Sequence, residues 1–129
     1  MCRRIKMTDL IFSFFMILFI APALTCLIEV PIIKKLKVTA DTEYIIQINI
    51  LTNLFLNCGA VLINNTLGYT GYLIYNIIFE ALIIPVSEAL LYSLISDLKL
   101  TRILYISYLA NMISCTAGII ITFLKEILL

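Results

Sequence analysis

Four apolar stretches, each about long enough to cross a bilayer, restrict what this chain can fold into. They run from about Leu10 to Ile33, Tyr44 to Asn64, Thr70 to Leu94 and Arg102 to Leu124. A helix needs about 20 apolar residues to cross the hydrocarbon core. Short polar connections between the stretches favour antiparallel neighbours. We therefore expect an all-α integral membrane protein, with residues 1–129 forming a single antiparallel four-helix transmembrane bundle.

Composition excludes several classes of protein. The chain has 129 residues, of which 63% are hydrophobic and 13% are charged, whereas soluble domains average about 45–50% apolar and about 25% charged residues. A net charge of +1 without a long basic run argues against nucleic-acid binding. The absence of histidine excludes His-based zinc ligation and acid–base chemistry. We expect no enzyme activity, no catalytic residues, no metal and no cofactor.

The N-terminal stretch also resembles a signal peptide, with a basic start followed by an apolar run. Two features favour a retained membrane span instead: Asp9 interrupts the start, and the apolar run continues past Ala23 to Ile33. Basic residues are nearly balanced between the two predicted membrane sides, so the positive-inside rule does not orient the chain. The expected location is a multi-pass position in a bacterial inner (plasma) membrane.

Carboxylates inside the apolar stretches are the strongest indication of function. Glu29, Glu80 and Glu88 lie in or at the edge of these stretches, and no Lys, Arg or His lies inside them to form an ion pair. A charged side chain at the bilayer centre costs about 2.5–3.5 kcal/mol on insertion scales. Such groups are expected to be protonated, to bind a cation or to line a wet cavity.

Polar residues recur at helical spacing, so each predicted helix has a polar face. The rise of about 1.5 Å per residue places Glu29 and Glu88 towards the connections that follow the first and third stretches, here called the first and third loops. The same rise places Glu80 just beyond the middle of its span. A cavity opening towards those loops, with Glu80 near its floor, is therefore predicted. The candidate residues for binding a substrate or an ion are Glu80, Glu88, Glu29, Asn53, Asn111 and Asn76.

Each candidate also has a structural interpretation. Asparagine in a membrane helix often forms only an interhelical hydrogen bond. Lys34 or Lys35 could reach back and neutralise Glu29. Glu80 could be buried as a neutral acid that is hydrogen-bonded to Asn53 or Asn111.

In size, number of spans and possession of a membrane glutamate, the chain resembles the small multidrug resistance transporters. Their essential glutamate lies in the middle of the first span, whereas Glu29 is near the end of this one, and they use a tryptophan that this sequence lacks. The likeness is one of architecture, so no site residue is transferred from that family.

The sequence favours two functions over an intramembrane enzyme, for which no nucleophile–base pair is visible. The first is a proton- or cation-coupled transporter or channel for a small solute, which acts through membrane-embedded carboxylates. The second is a non-catalytic accessory or assembly subunit of a larger membrane complex. The expected partners are the lipid bilayer, a small cation or proton, and further copies of the chain or other membrane subunits.

Overall fold

The computed structural model describes Phe15 and residues 19–128, and every regular element among them is helical. The helices are α1 (Ala21–Lys35), α2 (Thr42–Ile78), α3 (Ile84–Ser93) and α4 (Leu100–Leu128), and a short π-helix, Phe79–Ile83, joins α2 to α3. The predicted all-α class is confirmed for this part of the chain. Most of the first half of the predicted first span lies outside the described residues.

The long helical stretch from α2 to α3 reverses direction at Gly68. This residue has φ 70° and ψ −170°, a conformation available almost only to glycine. Contacts across the reversal show that the chain folds back on itself: Thr52 meets Glu88 and Asn49 meets Tyr92. The two arms of this hairpin, residues 42–67 and 69–93, therefore lie side by side and antiparallel.

Small residues allow the two hairpin arms to approach closely. A Cβ atom added at Gly59 would overlap the Tyr75 hydroxyl group of the opposite arm. The Tyr75 ring in turn stacks on Phe79, with 4.1 Å between ring centroids. The second arm therefore packs directly against the backbone at Gly59.

The hydrophobic core lies at the end of the fold that carries the first and third loops. Asp41 caps the start of α2 at this end, and its side chain accepts a hydrogen bond from the Tyr44 N–H at 3.1 Å. All four helices contribute to this end of the molecule. The core residues are Ile33, Val38, Ile45, Ile48, Ala89, Tyr92, Ile103, Ile106 and Ala110.

The outer surface is apolar, while several polar side chains are buried. Leu27, Phe55 and Leu94 are 72%, 73% and 75% exposed, and an apolar exterior of this extent is unusual for a soluble monomer. By length and composition, two helical stretches could cross a membrane: Thr42–Ser93 and Leu100–Ile121.

Replacing Gly68 with alanine tests the reversal. No atom would lie within 4 Å of the new Cβ, so the cost is backbone strain alone, about 1–3 kcal/mol of unfolding free energy. Thermal unfolding of the purified protein in detergent measures it. Gly118→Ala is the matched control, because its Cβ also meets open space and its φ is not positive. Equal stability of the two variants would contradict a glycine-dependent reversal.

Candidate functional site

Glu88 is a buried carboxyl group held by two neighbouring helices. It is 1% exposed. Thr52, from the first hairpin arm, donates to its Oε1 at 3.1 Å, and Ser107 of α4 donates to its Oε2 at 2.9 Å. The Asn111 amide also donates to Oε2. Ser107 and Asn111 are one helical turn apart, so a single face of α4 supplies two of the three donors.

Glu29 is a second buried carboxyl group, on α1. It is 0% exposed, and its Oε1 accepts a hydrogen bond from the Ser114 hydroxyl at 2.7 Å. Hydrogen bonds link Glu29 to Glu88, because Ser114 also contacts the Asn111 carbonyl at 3.0 Å and Asn111 donates to Glu88. Ser114 lies three residues after Asn111 on α4, so this helix holds both carboxyl groups at one level of the fold.

The possible neutralisation of Glu29 by the neighbouring lysines is not observed. Lys34 donates its Nζ to the Thr42 hydroxyl at 2.8 Å, and Lys35 is exposed. The helix turns Glu29 inward and these lysines outward. Glu29 is therefore a buried acid that bonds to Ser114 rather than to Lys34.

Glu80 lies apart from these two acids, in the π-helical segment. It is half-buried, and its Oε2 accepts a hydrogen bond from the Cys115 thiol at 3.1 Å. The Ile84 N–H donates to the Phe79 carbonyl five residues back, directly before Pro85, which has no N–H to donate. A single π turn inside an α-helix is frequent at functional sites.

Neither asparagine suggested as a partner of Glu80 bonds to it. Asn111 donates to Glu88 instead. Asn53 donates to the Asn49 carbonyl at 3.0 Å, and its own Oδ1 lies 3.5 Å from the Thr25 hydroxyl. Asn53 thus contacts α1 through Thr25 and does not bond to Glu80.

A partly open cavity of about 830 Å³ lies between the helices. Four of the six candidates, Glu80, Asn53, Asn76 and Asn111, line it directly. Glu29 and Glu88 do not, but side chains that hydrogen-bond to them do: Thr52, Asn111 and Ser114. The two buried acids therefore lie one layer behind the cavity wall.

The cavity lies at the opposite end from the one that the sequence predicted. Its lining includes Tyr69 and Tyr72, which follow Gly68, and Ile121 near the end of α4. The packed core closes the end at the first and third loops. The predicted opening towards those loops is wrong, and Glu80 lies on the cavity wall, nearer Gly68 than the buried acids are.

The six candidate residues do not include several polar residues that lie in the same hydrogen-bonded cluster as the buried acids. Thr52, Ser107 and Ser114 donate to Glu88 or Glu29, and the Tyr92 hydroxyl lies 3.4 Å from the Asn49 amide nitrogen. Their spacing in the sequence could have identified them as one face of a helix, since Ser107, Asn111 and Ser114 recur at steps of four and three residues on α4.

The hydrogen-bonding partners that the structure gives for the two buried acids are three hydroxyl groups and the amide N–H of Asn111. All of them are uncharged donors, so no cationic side chain is among these partners. Within the part of the chain that the structure describes, no group of three or more His, Cys, Asp or Glu residues could hold a metal ion.

Comparison with protein-family models, with curated proteins and with solved structures found no match for this chain.

Truncation of Glu88 tests its part in joining the helices. Glu88→Ala removes the acceptor of three donors, and leaving buried donors unsatisfied costs about 1–3 kcal/mol of unfolding free energy. Glu88→Gln keeps one acceptor oxygen and is expected to have intermediate stability. Thermal unfolding in detergent measures both variants. Glu43→Ala is the control, because Glu43 is exposed, and equal stability of Glu88→Ala and Glu43→Ala would contradict the assignment.

Proposed function

We propose that the chain is a multi-pass membrane protein, a proton- or cation-coupled transporter or channel for a small solute. The observation that carries this proposal is a cavity with carboxyl, amide and hydroxyl groups on its wall inside a protein whose exterior is apolar. A volume of about 830 Å³ is within the range of about 300–1,000 Å³ usual for small-molecule sites.

An antiparallel four-helix transmembrane bundle is part of the same proposal. The stretch Thr42–Ser93 has 52 residues, about twice the length that one span needs. Its reversal at Gly68 supports two crossings. α4 supplies another, and α1 belongs to the first of the four predicted stretches.

The acids take different roles in this proposal. Glu80 lines the cavity, so a proton or a cationic group in the cavity can reach it directly. Glu88 and Glu29 communicate with the cavity through Asn111 and Ser114, which bond to them and also line it. Ionisable residues inside membrane proteins commonly mark ion and proton pathways.

An accessory subunit is the second candidate, and the open side of the cavity favours it. Apolar side chains such as Leu24, Leu56 and Leu73 line the cavity beside the amides of Asn53 and Asn76. A helix of a partner membrane protein with one polar side chain would match this mixed surface. Under this alternative, the purified chain alone would carry no flux, and it would be recovered as part of a larger complex.

Neutralising Glu80 tests the transport proposal. Proteoliposomes that contain a pH-sensitive dye would report proton movement driven by an imposed Na⁺ or K⁺ gradient. Glu80→Gln should reduce this flux about tenfold or more, equivalent to about 1.4 kcal/mol, because the amide cannot exchange a proton for a cation.

The control is Glu43→Gln, an exposed site at the start of α2, which should retain wild-type flux. Unfolding temperatures of both variants in detergent separate loss of function from loss of fold. Full flux through a folded Glu80→Gln variant would contradict the role given to Glu80. Absence of flux through the wild-type protein would favour the accessory subunit.

A further inference from the structure

Two buried oxygen atoms lack a hydrogen-bond partner among the residues that the structure describes. They are Oε2 of Glu29 and Oδ1 of Asn49, and both residues are 0% exposed. An unsatisfied buried polar group costs about 1–3 kcal/mol, and such groups are uncommon in folded proteins. Each of these oxygens can accept a donor group or a positive charge, and one bound cation would supply this to both.

The two atoms belong to one cluster of side chains. Asn49 donates its Nδ2 to the Ile45 carbonyl at 3.0 Å, and since a carbonyl only accepts, this bond fixes which amide atom is Oδ1. The same Nδ2 lies 3.4 Å from the Tyr92 hydroxyl.

Thr25 of α1 lies 3.5 Å from Asn53 of α2. One helical turn further along these antiparallel helices, Glu29 and Asn49 come opposite each other. The Thr52 hydroxyl lies within 3.2 Å of both the Asn49 carbonyl and Oε1 of Glu88.

We propose that this cluster binds one small monovalent cation of the Na⁺ class. Oε2 of Glu29 and Oδ1 of Asn49 are its primary ligands, and the Tyr92 hydroxyl and the Glu88 carboxyl complete the oxygen shell. The inference rests on the proposed function, because it names the coupling ion and the site that holds it.

The number of ligands favours a monovalent ion. Ca²⁺ takes about six to eight oxygen ligands, and Mg²⁺ usually keeps several waters. The cluster offers four protein side chains within a core where Tyr92 is 0% exposed and Glu88 is 1% exposed. Glu88 already accepts three hydrogen bonds, so fewer of its oxygen lone pairs remain to bind a cation.

The cavity gives the ion a route to this site. Thr52 and Asn111 line the cavity and bond to Glu88, and Ser114 lines it and bonds to Glu29. Rotation of these three small side chains would open the layer between the cavity and the cluster. At the other end of the fold, the buried residues packed around Tyr92 are aliphatic.

Binding of ²²Na⁺ to the purified full-length protein in detergent tests the site without a transport assay. We expect saturable binding of one Na⁺ per chain, and an unfolding temperature that is higher in NaCl than in choline chloride of equal ionic strength. Glu29→Gln should abolish both effects, and Asn49→Ser should weaken the affinity about tenfold or more, since each removes or displaces a primary ligand. Glu43→Gln should leave both unchanged.

The results also separate this inference from the transport proposal. No saturable ²²Na⁺ binding by the wild-type protein would overturn the cation site, even if flux in proteoliposomes still required Glu80. Unaltered binding by a folded Glu29→Gln variant would overturn it as well. If Glu29→Gln does not fold, unaltered binding by Asn49→Ser would do so. Na⁺ binding that persists in a wild-type protein without flux would support the site and refute transport.

Discussion

The burial of the Glu88 carboxyl group, with its donors on two neighbouring helices, is the interaction on which the rest of the structure depends. Thr52 reaches it from the first hairpin arm, and Ser107 and Asn111 reach it from α4. In a bilayer, an apolar exterior would give little preference for one helix register over another, because lipid tails are as apolar as the side chains that would face them. Polar groups that must find partners in the interior set that register.

This polar layer divides the fold into two regions. On one side, aliphatic side chains and Tyr92 pack into a closed core. On the other side, the helices separate around the cavity, and Glu80 is held there in the π-helical segment. Asn111 and Ser114 connect the polar layer to the cavity, since they contact the buried acids and also line the cavity. Their side chains therefore join the cavity wall to the acids behind it.

The sequence predicted the helical class and the level of several polar groups, but not which groups meet. Helical spacing and the rise per residue place Glu88 and Ser107 at similar depths, and the structure joins them by a hydrogen bond. The direction of the cavity depends on how side chains such as Ile45 and Ile103 fill the opposite end, and periodicity carries no information on that packing. The orientation of Lys34 towards Thr42 is likewise a choice of rotamer that spacing cannot predict.

Two native cysteines allow the most direct test of a water-accessible cavity inside a membrane-embedded protein. Cys115 lines the cavity, whereas Cys58 is exposed on the outer surface. Proteoliposomes would be treated at mildly alkaline pH with a charged thiol reagent that does not cross lipid, and the modified peptides would be identified by mass spectrometry. If the outer surface faces lipid and the cavity holds water, Cys115 is modified and Cys58 is protected. Modification of Cys58 with protection of Cys115 would contradict the account.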